Sequence, residues 1–502
     1  MRALATGERR VRCRLFAFVL HGLNPLASHS TTETAEEHMK RTSHVARIVA
    51  ALSLCSLLVA GCGGSSSPGA DGGSPSAPPA AVQSFTSATT AVHVGESTEL
   101  TAVFSGDSAS IDGIGPVRSG VPVATPALAR ATTFALTVRR GAQQVEAHLT
   151  IAATYRDRFR ALTSPVAYRQ HVAMALADGS ALVMGGNTSE SPNVPDTDSS
   201  HRFDPITETF SPGPRLAFSA ESDLTTPAAL GNGGFLLVGP GINSALHLDG
   251  GLRATQAFDA TTGAFHRVGD LGVRHDGGGA ATPLNDGSVL MAGGQIPAVA
   301  TAERYHPTSE QWTAAGSMTT ARRGHTATQL ADGRVLIAGG ITCCDSAGEV
   351  FTATAEVYDP RTGVFQPTGS LVTARGFHAA ALLADGRVLV TGGFATDGST
   401  AASAETYDPS TGQFTPAGAM QVGRSGHSAI LLTDGRVLVV GGLQAAAVTD
   451  LFEPDTGAWR PGPILATARA GSTATLLRNG KVLVFGGEDA QGFPTSTVML
   501  YE

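Results

Sequence analysis

Four arginines recur at one place in a repeating pattern, Arg322, Arg375, Arg424 and Arg469, and gathered in a ring they would suit an acidic ligand. Each has an acidic residue 19 positions before it, namely Glu303, Glu356, Glu405 and Asp450, and where that place holds His201 or Gln256 the following arginine is missing. Such paired occurrence predicts structural ion pairs between neighbouring repeats rather than a ligand ring. Arg169, with Met499 in the matching acidic place, and the additional Arg323 are then the arginines open to a ligand.

His171, His325, His378 and His427 each lie seven residues before an Asp-Gly turn. A metal site needs three or four ligands meeting about 2.0 to 2.1 Å from one ion. One imidazole on each of four separate repeats is expected to bond locally instead, so neither a metal nor a cofactor is expected. Cys343 and Cys344 are adjacent, and in an oxidising compartment two thiols tend to pair. Neighbouring Cα atoms stand about 3.8 Å apart, under the usual disulfide window of about 4.4 to 6.8 Å. A bond between them would be strained and easily reduced, with a redox or ligand-clamping role; the other reading is two free or intermolecularly linked thiols. Asp196 and Asp198 could offer oxygens to calcium, but without the spacing of a calcium loop they read as a solvated segment. Nucleophile elbow, phosphate loop and HExxH motifs are missing from the sequence.

The elements that position these residues repeat. Asp-Gly or Asn-Gly occurs at Asp178, Asn232, Asp286, Asp332, Asp385, Asp434 and Asn479, and a glycine follows seven residues later each time. Those dipeptides supply the positive φ of a two-residue hairpin turn. The apolar run after each turn, such as Arg334 to Ala338, reads as a buried strand. A third strand ends in a turn such as Asp359-Pro360-Arg361-Thr362-Gly363, and a fourth carries one aromatic: Phe210, Phe265, Trp312, Phe365, Phe414 or Trp459. Four short strands in about 50 residues describe one propeller blade. The last repeat stops at its third strand, whereas a spare fourth strand around Phe159 precedes the first repeat. The Phe159 strand is therefore expected to pair with Val498 to Tyr501 and close the ring.

The paired glycines, Tyr-Asp-Pro turns and following aromatics resemble the kelch repeat, over residues 154–502. Upstream, Val94 to Leu100 and Thr132 to Val138 resemble bacterial immunoglobulin-like domains. The expected class is all-β, a seven-bladed kelch-type β-propeller preceded by a small immunoglobulin-like β-sandwich over residues 82–153. Tyr305-His306 invites comparison with galactose oxidase-like copper enzymes, which carry a kelch propeller; here the pair stands where other repeats have Tyr-Asp, so a repeat substitution explains it.

Met39 opens a second pattern: Lys40, Arg41 and Arg47, then an apolar stretch from Ile48 to Ala60 that is too short to span a bilayer. Leu58 to Cys62 resembles the lipobox of bacterial lipoproteins, which implies that Cys62 is acylated and becomes the mature N-terminus. Gly63 after it is similar to the outer-membrane default of Gram-negative lipoproteins. Residues 1–38 then read as an upstream extension, 39–61 as a signal peptide and 62–81 as a Gly/Ser/Pro tether.

The whole chain has 502 residues, 34 Lys plus Arg against 42 Asp plus Glu, 61 Gly and only 15 % charged residues. A net charge of -8 argues against nucleic-acid binding, and membrane attachment must rest on the lipid anchor alone. The expected protein is an exported, lipid-anchored envelope protein whose propeller face binds a protein or glycan without catalysis. Its competitors are a secreted kelch-type carbohydrate enzyme, either a copper-radical oxidase or a sugar epimerase, and a structural part of an envelope assembly.

Overall fold

The computed structural model describes residues 78–168, 171–186, 198–218, 226–238, 253–275, 277–345, 348–445 and 447–502. The proposed extension, signal peptide, Cys62 and most of the tether lie outside the described residues. Strands of three to twelve residues, or two at the shortest, make up the regular structure, and the described residues contain no α-helix.

Thr132–Arg140 and Gln143–Thr154 form a long hairpin around Gly141, in register from Arg140↔Gln143 to Thr132↔Ile151. It is the centre of a five-stranded sheet that also takes in Ala91–His93, Ser108–Ile111 and Gly115–Pro116. A three-stranded sheet of Ala81–Ser87, Glu99–Ser105 and Val123–Ala124 packs against it. Period-two alternation turns Phe134, Leu136 and Val138 inward, where they share a core with Leu100, Ala102, Ile111 and Ile151.

Beyond Tyr155 the described residues form seven four-stranded antiparallel sheets. In the fourth, Thr326–Gln329 is innermost, followed by Val335–Ala338, Ala355–Asp359 and Val364–Pro367. Its turn places Gly333 at φ +88°, in the left-handed region that the hairpin requires, while Asp332 accepts the Arg334 amide at 3.0 Å. The second strand of each of the seven is wholly buried, which is why, Thr391 apart, it is continuously apolar rather than alternating.

The glycine pair after that strand has a steric reason. A Cβ on Gly339 would lie 2.6 Å from the carbonyl of Arg375, and one on Gly340 would lie 2.8 Å from that of Arg323. The pair is thus wedged between the loop that starts its own sheet and the loop that starts the next.

Innermost strands neighbour one another in a closed circuit, from Val172–Ala175 through Thr226–Ala229 onward to Thr473–Leu476, which lies beside Val172–Ala175 again. The seventh sheet takes its fourth strand from the other end of the chain. Phe159–Tyr168 pairs with Thr495–Tyr501, Tyr501 opposite Phe159 and Val498 opposite Leu162. The aromatic pair of the other sheets, such as Tyr358 with Phe365 at 4.7 Å, is reproduced there by Tyr501 with Phe159 at 5.3 Å.

Candidate functional site

The loops leading into the innermost strands carry the four arginines, all fully buried. Their partners correct the expected arrangement. Arg322 reaches Glu356 at 3.0 Å, Arg375 reaches Glu405 at 2.8 Å and Arg424 reaches Asp450 at 2.5 Å. Each pair joins a sheet's leading loop to the third strand of that same sheet, so the pairs do not run between neighbours. The cause is the register: Glu356 stands opposite Ile337, two residues before Gly339, whose carbonyl accepts the same guanidinium at 2.8 Å. The carboxylate also takes the amides of Thr319 and Thr320 at 2.7 and 3.1 Å. Burial pulls these guanidinium pKa values down, and the carboxylates pull them back up.

Glu303, expected to serve Arg322, accepts the Gly272 and Val273 amides at 2.7 and 2.8 Å and contacts His275 Nε2 at 3.2 Å. His275 occupies the arginine's place in the third sheet, a substitution visible by aligning Leu271 with Met318 but not singled out by the spacing. At the opposite end of the series, Arg469 has no acid: its only side-chain hydrogen bond goes to the Gly486 carbonyl at 3.0 Å, and Met499 stands in the carboxylate's place. Burial alone brings its pKa down to about 10, so it is charged at neutral pH.

Imidazoles are among the links between neighbouring sheets. His171 bonds Thr473 at 2.8 Å, His378 bonds Thr326 at 2.9 Å and His427 bonds Thr391 at 2.8 Å, each threonine belonging to the preceding sheet. The corresponding neighbours of His325 are Ala280 and Ala292. Burial pushes all four down to about 3, so they are neutral. Among the described residues no three His, Cys, Asp or Glu side chains are grouped to hold a metal. Tyr305 is buried against Trp312, and His306, on the opposite face of the strand, bonds Thr313 at 2.9 Å, so this pair does not converge. These donors do not fit a copper centre.

Arg323 is also engaged. It pairs with Glu349 and lies over the Phe377 ring, 5.9 Å from its centroid. Glu349 belongs to a β-ribbon of Ile341–Asp345 and Gly348–Phe351, which also carries Cys343. On it Cys343 is exposed and free. Phe377 adopts φ 53°, uncommon for a bulky residue, where the matching Gly324 and Gly426 adopt 59° and 61°. A backbone chain fixes it: the Gly324 amide donates to Gly278, that of Phe377 to Gly324 and that of Gly426 to Phe377, at 2.7 to 3.0 Å. Phe394 meets its ring edge-on at 6.3 Å. Sequence reasoning did not find Phe377; its aromatic ring at a glycine place was the available signal. Asp198 pairs with Arg215 at 2.9 Å, whereas Arg169 and Asp196 lie outside the described residues.

No protein-family model matches this chain, and no curated protein does. Among solved structures it is similar to one described as "Novel fungal alcohol oxidase with catalytic diversity among the AA5 family, in complex with copper". The two are 16 % identical, with a TM-score of 0.55 over 68 % of this chain and 75 % of that one. At that identity the likeness is one of fold: an all-β, propeller-like chain.

Proposed function

We propose that residues 154–502 are a seven-bladed kelch-type β-propeller and residues 82–153 an immunoglobulin-like spacer. The seven sheets, their closed circuit of innermost strands and the shared core of the two upstream sheets support that division. Residues 1–38 are an upstream extension, 39–61 the signal peptide and 62–81 the tether, with Cys62 carrying the lipid that holds the protein in the cell envelope, in the outer membrane of a Gram-negative bacterium.

Its function is recognition of a protein or glycan, without catalysis. The observation that carries this reading is the Ile341–Phe351 ribbon, tied by Glu349 to Arg323 beside the Phe377 and Phe394 rings. An aromatic held in a left-handed backbone conformation is the kind of cost that persists at ligand sites. The copper-oxidase alternative takes support from the structural similarity, but Tyr305, packed on Trp312, and His306, bonded to Thr313, do not converge on one point.

A glycan array and an envelope pull-down with the purified chain, repeated with Phe377→Gly, test the reading. Captured ligand lost in the variant supports it. Stoichiometric copper with alcohol or sugar oxidation by the wild type overturns it.

A further inference from the structure

A buried guanidinium without a counter-charge is strongly unfavourable, because it has left water and gained no opposite charge. Sheets four to six each meet that cost with a carboxylate from their own third strand, and the carboxylate meets the leading loop's amides as well. In the seventh sheet the receiving half persists and the carboxylate does not. Arg469 is fully buried and keeps the bond from Nη1 to the Gly486 carbonyl that Arg322 makes to Gly339. Its Nε and Nη2, and the hydroxyl of Thr467 two residues earlier, are buried without hydrogen-bond partners.

Alignment of Leu465 with Leu371 puts Ala466 and Thr467 where Val372 and Thr373 donate their amides to Glu405, at 2.7 and 3.1 Å. Ala466 is exposed, so this corner is one residue from solvent. Met499, opposite Val484, holds the place of the acid with an uncharged thioether, an unbranched and adaptable side chain. The carboxylate of Glu502 cannot serve, being held by Arg158 at 2.6 Å and Lys481 at 3.2 Å. His171 nearby brings no counter-charge, since an imidazole is either neutral or cationic.

We propose that the seventh sheet binds an external carboxylate: a small monocarboxylate that displaces the Met499 thioether from the place Glu356, Glu405 and Asp450 occupy in sheets four to six. The guanidinium of Arg469 and the Thr467 hydroxyl supply side-chain donors, and the Ala466 and Thr467 amides supply the backbone pair. The site is independent of the ribbon and of whatever the ribbon recognises.

The test is thermal unfolding of the full chain in sodium formate against sodium chloride at equal ionic strength, for the wild type, Met499→Glu and Arg469→Met. Formate is expected to raise the wild-type midpoint saturably, by about 2 °C or more beyond chloride. Both variants are expected to lose that difference, and Met499→Glu to melt above the wild type in chloride alone. An equal formate shift in wild type and Arg469→Met, or no formate-specific shift in the wild type, overturns the proposal. Should Met499→Glu fail to fold, Arg469→Met and the wild type still decide.

Discussion

Glu405 and Met499 occupy the same place in two sheets and define what that place is for. Glu405 accepts Arg375 at 2.8 Å and two amides, and the pair is wholly buried. Glu405→Ala strands both the guanidinium and the amides and should cost about 3 to 5 kcal/mol, read from denaturant midpoints. Replacing both partners with methionine should cost far less, because no charge is then left buried. These partners were half legible in the sequence. The interval of 19 is constant because the third-to-first connection has constant length, whereas true partners lie 34, 30 and 26 residues apart across a variable connection. A fixed spacing drew attention to the right residues and joined them the wrong way.

The seventh sheet shows what local sequence signals can carry at the scale of the element. Its turn and buried strand follow from Asn479-Gly480 and the apolar Val482 to Phe485. Phe159 could be placed because Asp157 to Arg160 aligns with Gly363 to Gln366, with a one-residue deletion before His171. The clasp around it could not, because it joins residues remote in sequence: Asp157 accepts Arg436 through both oxygens, at 2.8 and 2.9 Å, and the Tyr501 hydroxyl at 2.5 Å. Asp157 also sits at φ 52°, a conformation that Asp tolerates better than most residues. Asp157→Ala should therefore cost about 1.5 to 3 kcal/mol. Hydrogen exchange is the check, with the seventh sheet's amides deprotected ahead of those of the fourth.

For the molecule as a whole, neutral imidazoles contribute to the bonds between sheets, and this makes the frame acid-sensitive. In the unfolded chain histidine titrates near 6.5, whereas His171, His325, His378 and His427 are held near 3 when folded. Below about pH 6.5 the unfolded chain takes up protons that the folded chain refuses, so stability is full above that pH and declines toward 3. Glu502, held at about 2 by Arg158 and Lys481 against the opposing effect of burial, adds a loss in the same direction below the ordinary carboxylate range. The melting temperature should fall continuously from pH 7 to pH 4, and His427→Gln should flatten the upper part of that fall. The threonine partners were invisible in the sequence, since His171 and Thr473 are 302 residues apart.

Closure of the circuit is what brings Thr473 to His171 and makes one face of seven sheets. Thr163 and Thr497 stand opposite each other on the two strands that complete it. Thr163→Cys with Thr497→Cys should form an intramolecular disulfide under mild oxidation, mapped by mass spectrometry, and raise the unfolding midpoint. Free thiols at both positions in the folded protein, or a bond formed only between copies, would contradict a ring completed by its own N-terminal strand.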